Sequence, residues 1–240
     1  MINPITVAVD AENRPFAWLE GDELQGFSVE VCQRAFGAGR EVVLRPVSGP
    51  LHLAVALAAG EAELALDVAV SERRQRWFEF STAYFLDRLA AFLPRSGGLW
   101  AGLEHVQGRL AVRSNSYEEE FLRAHHPWLT LLPVDTAPAL LEAVLGERAT
   151  GFVISEVAGL ALIAERGDGA FREAGHSFAP CQLALAAMPG DADALDAFNR
   201  GFAQLYASGE YDALVRRWFS DPAAALPPGS LEKLGDQPAQ

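Results

Sequence analysis

From Ile5 onward, short apolar runs alternate with segments of helical period, and this alternation confines the chain to an α/β fold rather than an all-β or all-α one. The strand candidates are ITVAV (5–9), EVVLRPV (41–47), ELALDV (63–68), RLAV (109–112), TLLPV (130–134) and GFVIS (151–155). Helices are expected between them. FSVEVCQRAF (27–36) places Phe27, Val31 and Ala35 on one face, with Val29, Cys32 and Phe36 beside it, and Gly37 supplies the stop. LHLAVALAA (51–59) reads as a second helix, closed by Gly60.

An internal echo refines the architecture. ALAAGEAELALDVAVSE (56–72) and EAVLGERATGFVISEVA (142–158) share a helix, a glycine stop, a polar turn and a buried strand. After each strand a new helix is expected to open, with Ser71 or Ser155 as N-cap and Glu72 or Glu156 in the first turn. Two α/β lobes follow, each presenting strand C-ends and helix N-termini, and a ligand cleft is expected between them, since open α/β sheets bind ligands at those ends. Residues 191–219 read as two helices broken at Ser208 and Gly209, with Leu195, Phe198, Phe202 and Leu205 forming a core stripe. The tail after Ser220 is rich in Pro, Gly and Ala and is expected to be loosely ordered.

Composition excludes several function classes. A formal net charge of −13 argues against a nucleic-acid partner, which needs clustered Lys and Arg. Apolar stretches such as Gly159–Ala164 fall short of the roughly 20 residues of a membrane span, so none is expected. The opening MINPITVAVDAENR lacks the pattern of a secretory leader, which leaves the compartment open at this point. Cys32 and Cys181 read as two buried free thiols.

No complete enzyme signature is present: there is no HExxH, CxxC, P-loop or GxSxG elbow. His125 and His126 precede a proline at an expected helix end, where a solvated cap is the ordinary reading. No metal site and no cofactor are expected, nor is an enzyme.

Two corners can hold a ligand. In the first lobe, the segment after strand 63–68 carries Asp67, Ala69 and Ser71, then Arg73, Arg74 and Arg76. Such a run is usually a solvated basic face, but an arginine beside a strand C-end can grip a carboxylate with its two-pronged guanidinium. In the second lobe, Ser155 and Glu156 occupy the equivalent corner. Glu156 can receive an ammonium group there, although a first-turn Glu is commonly just a partner of the helix dipole.

With these segments in view, the chain resembles the bacterial extracellular solute-binding proteins of family 3, the polar amino-acid receptors of ABC importers. The likeness runs over roughly residues 5–219. It rests on RPFAW with QGFSVEVCQRAF, ALAAGEAELAL, SERRQRWFEFSTAYF, QGRLAVRSNSYEEEFL and ASGEYDALVRRWF, in that order.

The resemblance implies the type II periplasmic binding fold, with two lobes joined by a two-strand hinge. The first lobe would comprise 1–92 and 184–225, the second 93–183, and residues 226–240 the tail. It also implies an amino-acid-like ligand, an ABC permease as partner and a periplasmic or extracellular location; a monomer is expected, with nothing in the sequence against it. Arg74, six residues before Phe80-Ser81, matches the arginine that clamps the ligand α-carboxylate, and Glu156 matches an acid, usually Asp, for the α-amino group. Arg113 to Tyr117 match a carboxylate-capping turn, with Asn115 where glycine is usual and Ser116 as hydroxyl donor. Asp10 matches a position that senses the ligand side chain.

Departures from the family pattern are Asn13 and Pro50 in place of aromatic rings, Asp67 in place of a small residue and Ala69 in place of Thr or Ser. They predict a more polar and acidic pocket, suited to a ligand with extra positive or hydroxyl groups; the alternative is that Tyr117 supplies the stacking from the other side. A dehydratase of prephenate- or arogenate-like acids, with Glu156 as general acid, is the alternative. A sensory module with altered or lost ligand binding is another.

Overall fold

The computed structural model describes residues 4–37, 40–97 and 102–219. The chain runs through β1 (Ile5–Asp10), β2 (Glu12–Asn13), β3 (Ala17–Glu20), β4 (Glu23–Gln25), α1 (Phe27–Phe36), β5 (Val42–Val47), α2 (Pro50–Ala58), β6 (Leu64–Ala69), β7 (Glu79–Phe80) and β8 (Phe85–Pro94). It continues through β9 (Arg109–Arg113), α3 (Tyr117–His125), β10 (Thr130–Val134), α4 (Ala137–Leu145), β11 (Gly151–Ser155), α5 (Glu156–Arg166), β12 (Phe171–Glu173), β13 (Phe178–Ala187), α6 (Ala192–Ala207) and α7 (Glu210–Trp218). This is the expected mixed α/β chain. It divides into two compact units: one holds the residues up to Ser48, 52–86 and those from Cys181 onward, and the other holds Gly49–Leu51 and Asp87–Pro180. The tail expectation for 226–240, and residues 220–225 of the first lobe, lie outside the described residues.

In the first unit the strand order is β13-β6-β1-β5. β1 lies parallel to both neighbours, with Ile5 opposite Val42 and Val7 opposite Leu64, and β13 is antiparallel to β6. Ile5, Val7, Ala8 and Val9 are all fully buried, which is why β1 reads as a continuous apolar run rather than an alternating one. A separate antiparallel sheet, β2-β3-β4, was not legible in the sequence, because strands of two to four residues are too short to show a period.

A second difference lies after β6. The helix expected at Ser71 is only a 3-10 turn over Arg74–Arg76, with Arg73 rather than Ser71 at its N-cap, although the Ser71 Oγ accepts from the Arg74 N–H at 3.2 Å. The chain leaves the turn at once because Glu79 and Phe80 pair with Ala187 and Ala186 of β13.

The helices α1 and α6 meet at backbone distance. A Cβ added at Gly201 would lie 1.6 Å from the Ala35 carbonyl oxygen, so only glycine lets the two helices approach this closely. Around that point Phe198 and Phe202 stack at 5.8 Å, and Tyr84 meets Phe198 at 5.9 Å. The Tyr211 hydroxyl, fully buried, donates to the Tyr84 carbonyl and ties α7 to the start of β8. Gly201→Val is expected to force α6 off α1 at a cost of about 3 kcal/mol or more. Thermal unfolding should fall by roughly 2–4 °C per kcal/mol for a chain of this size; an unchanged melting temperature would show that the helices separate without loss.

In the second unit β9 lies between β10 and β11, parallel to both, and β8 is antiparallel to β11 and to β12. Phe92 and Phe152 stack at 5.1 Å, and Phe171 packs edge-on to Phe152 at 5.8 Å. A Cβ at Gly159 would stand 2.1 Å from the Phe92 ring, so α5 sits directly on that aromatic pair. The helices α3, α4 and α5 each have a side-chain cap, Ser116, Thr136 and Ser155 in turn. β8 and β13 are ten-residue strands.

Candidate ligand-binding site

In the first unit the corner expected to hold a ligand is built at the C-ends of β1 and β6. Asp10 closes β1, is only 5% exposed, and accepts the Glu12 N–H on Oδ1 at 3.2 Å. Asn13 is half-buried in β2, its carbonyl accepting the Phe16 N–H. Ala69 ends β6 and is buried. Of the three arginines that follow, Arg73 and Arg76 are exposed and Arg74 is half-buried. The Arg74 guanidinium donates to the Ala69 carbonyl at 3.3 Å. That bond draws the cation back against the strand end.

Asp67 takes a role that the sequence reading did not contain. Its backbone is in the left-handed region, φ 57°, a conformation that a residue with a Cβ rarely adopts. Its Oδ1 accepts from the Ser28 hydroxyl at 2.5 Å and the Tyr84 hydroxyl at 2.7 Å, while its N–H donates to the Tyr84 hydroxyl oxygen at 3.2 Å. The carboxyl therefore joins the start of α1 to β6 and to the residue before β8. Burial pushes it up to about 6, against the Ser28 and Tyr84 bonds, with Asp10 adding to the rise. Burial, with Asp67 second, pushes the Cys32 thiol up to about 12. Cys32 and Cys181 are free and buried.

In the second unit the N-termini of α3 and α5 come together. Arg113 ends β9 and is 5% exposed. Asn115 follows at φ 59°, a left-handed position that Asn tolerates and where the resemblance puts glycine. Ser116 accepts the Glu119 N–H at 3.1 Å, and Glu119 returns to accept the Asn115 N–H at 2.8 Å, a reciprocal cap that fixes the turn. The Tyr117 hydroxyl donates to the Pro180 carbonyl at 3.2 Å. Glu118 Oε1 accepts the Ser155 N–H at 3.2 Å and so couples this turn to the start of α5, where Glu156 is half-buried.

Asp87, also missed, lies at the base of the α5 corner in β8, 3% exposed. Its Oδ1 accepts from the Arg88 N–H at 2.7 Å and from the Val157 N–H at 3.5 Å. A charge inside the apolar run FLDRLAAFLP was the available signal.

His125 ends α3 and His126 caps it, as expected of a helix end. Among the described residues no group of His, Cys, Asp or Glu is placed to hold a metal ion, and no helix is long and apolar enough to cross a membrane.

Comparison with solved structures defines the class. The chain superposes on the sensor domain of a histidine kinase described as similar to periplasmic binding proteins, with a TM-score of 0.85, 24% identity and coverage of 91% of this chain and 96% of that one. It superposes on an ancestral arginine-binding protein bound to glutamine with a TM-score of 0.83, 19% identity and coverage of 92% and 100%. The fold is that of the type II periplasmic binding proteins. Residues 5–221 match the profile of the bacterial extracellular solute-binding proteins, family 3, and the chain belongs to that family. The L-cystine-binding protein TcyJ of Escherichia coli (strain K12) is 25% identical over 221 residues, 90% of this chain and 82% of the relative. Membership in a family of binding proteins sets aside the dehydratase reading.

Proposed function

We propose that the chain captures a free amino acid outside the cytoplasm and delivers it to an ABC importer. The observation that carries this reading is Arg74. It is the half-buried arginine of its run, held at the C-end of β6 where α/β folds bind ligands. In this reading Arg74 takes the α-carboxylate, assisted by the capped turn from Arg113 to Tyr117, and Glu156 takes the ammonium group. Holding both ends of a zwitterion favours the bound form over the free one, and the bound form is what the importer recognises. Asp10, Asn13 and Ala69 shape the side-chain subsite. Asp67 contributes to it through the backbone, since its carboxyl serves Ser28 and Tyr84. The cystine-binding relative supports a zwitterionic ligand.

A second reading, capture coupled to signalling, is favoured by the superposition on a histidine-kinase sensor domain; it shares the same binding step. The test is calorimetry against the twenty amino acids, L-cystine and polyamines. One-to-one binding of an amino acid at micromolar affinity, about 8 kcal/mol, is the expected result. No heat and no thermal shift with any compound would overturn the receptor reading.

A further inference from the structure

The buried carboxyl of Asp87 is unused by the site as described, and its surroundings are unusual. Its Oδ2 is enclosed and has no hydrogen-bond partner, while Oδ1 is engaged by two backbone N–H groups, one of them Val157 in the first turn of α5. The residue between Ser155 and Val157 is Glu156, assigned above to the ligand ammonium.

Two neighbouring elements bring further carboxylates, while β11, which pairs with β8, brings none. Glu118 comes from α3, bonded to the Ser155 N–H, and Glu173 from β12, which pairs with β8. The cations nearby are Arg88 on the same strand, which is exposed, and Arg172 on β12, whose Nη1 donates to the Glu173 carbonyl. Glu173 is itself pushed up by burial and then by Glu156, with His176 opposing. A carboxylate with one enclosed oxygen, beside another carboxylate, is poorly placed to carry charge.

We propose that Asp87 is a proton-carrying positioning residue behind Glu156, which couples capture of a ligand ammonium to the release of one proton. The proposal rests on the assignment of Glu156 in the preceding subsection. Before binding, the charge on Glu156 and the burial of Asp87 favour the protonated Asp87 carboxyl. When an ammonium group neutralises Glu156, the repulsion disappears. The helix N-terminus, with the Ser155 hydroxyl and the Val157 N–H, then supports the ionised form, and the proton leaves to solvent. By linkage, ligand that expels a proton binds more weakly where protons are abundant. Burial, opposed by the Arg88, Ser155 and Val157 hydrogen bonds and reinforced by Glu156, brings this carboxyl up to about 7, so the coupling falls in the ordinary working range of pH.

The decisive measurement needs no ligand. In protein labelled with 13C at aspartate carboxyls, one resonance should titrate near pH 7 and vanish in Asp87→Asn. In Glu156→Gln, which imitates a neutralised Glu156, the same resonance should titrate at lower pH by at least about half a unit, as removal of a near like charge requires. Absence of any aspartate resonance titrating above pH 6, or an unchanged midpoint in Glu156→Gln, overturns the proposal even if the receptor reading stands. With L-arginine and L-cystine as probes, whichever binds should do so at least roughly threefold more weakly at pH 5.5 than at pH 8, the factor that a half-unit shift gives by linkage. That slope should flatten in Asp87→Asn, and a retained slope overturns the proposal. If neither probe binds, the titration in the two variants still decides it.

Discussion

Replacing Arg74 with alanine is expected to weaken amino-acid binding about 100-fold or more. A guanidinium gripping a carboxylate makes two parallel charge-assisted bonds, each contributing about 1.5–3 kcal/mol, and the alanine variant loses both. The ligand carboxylate then either stays hydrated, which blocks its entry, or is desolvated without a partner. Arg74→Lys keeps the charge and loses the fork, so an intermediate loss is expected. Arg73→Ala and Arg76→Ala serve as controls, because both side chains are exposed and neither is held at the strand end; each should change affinity less than about threefold, in keeping with the weak effects of exposed charges. Calorimetry with the best ligand of the parent protein measures all four. Equal affinity in parent and Arg74→Ala, or a larger loss at Arg76 than at Arg74, would place the carboxylate elsewhere. The melting temperature of the alanine variant checks its folding, since the guanidinium also donates to the Ala69 carbonyl at 3.3 Å.

How far such residues could be read in advance depended on the range of the interactions that fix them. The central strands β1, β6, β9 and β11 were legible because burial on both faces makes their composition continuous and apolar. Ser155 was legible as a cap because an N-cap bond spans only three residues, here to the Ala158 N–H at 3.3 Å. The Ser71 corner carries the same local signal and still yields a 3-10 turn, because pairing of β7 with a strand over a hundred residues away overrides it. Asp67 and Asp87 fail for a related reason. Asp67 has its partners 39 and 17 residues off, at Ser28 and Tyr84, and Asp87 meets Val157 across 70 residues. Period and spacing cannot announce such meetings; only the assembled sheet brings the residues together. Resemblance identified Arg74 and Glu156 as positions, and the structure adds that the Arg74 guanidinium is tied to the Ala69 carbonyl.

Asp67 also sets an expectation for stability. The Asp67→Asn variant should be more stable than the parent at pH 8 by roughly 2–3 kcal/mol, with the gap closing toward pH 4. The sign follows from the direction of the shift. An unfolded aspartate ionises near 3.8, whereas burial holds the folded Asp67 proton up to about 6. Between those values the folded state keeps a proton that the unfolded state has released, so stability from this group is greatest below pH 4 and falls as pH rises through 6. An asparagine at this position would accept the Ser28 and Tyr84 hydroxyls on its amide oxygen and tolerates the left-handed backbone at φ 57°, so the variant removes the titration while preserving the geometry. Asp10→Asn should act more weakly in the same direction, because Asp10 is one of the causes of the rise and comes after burial. Urea unfolding of parent and variant at pH 4, 6 and 8 reads the effect directly. A gap that stays constant with pH, or widens toward acid, would mean that Asp67 carries its charge throughout and that the Ser28 and Tyr84 hydroxyls outweigh its burial.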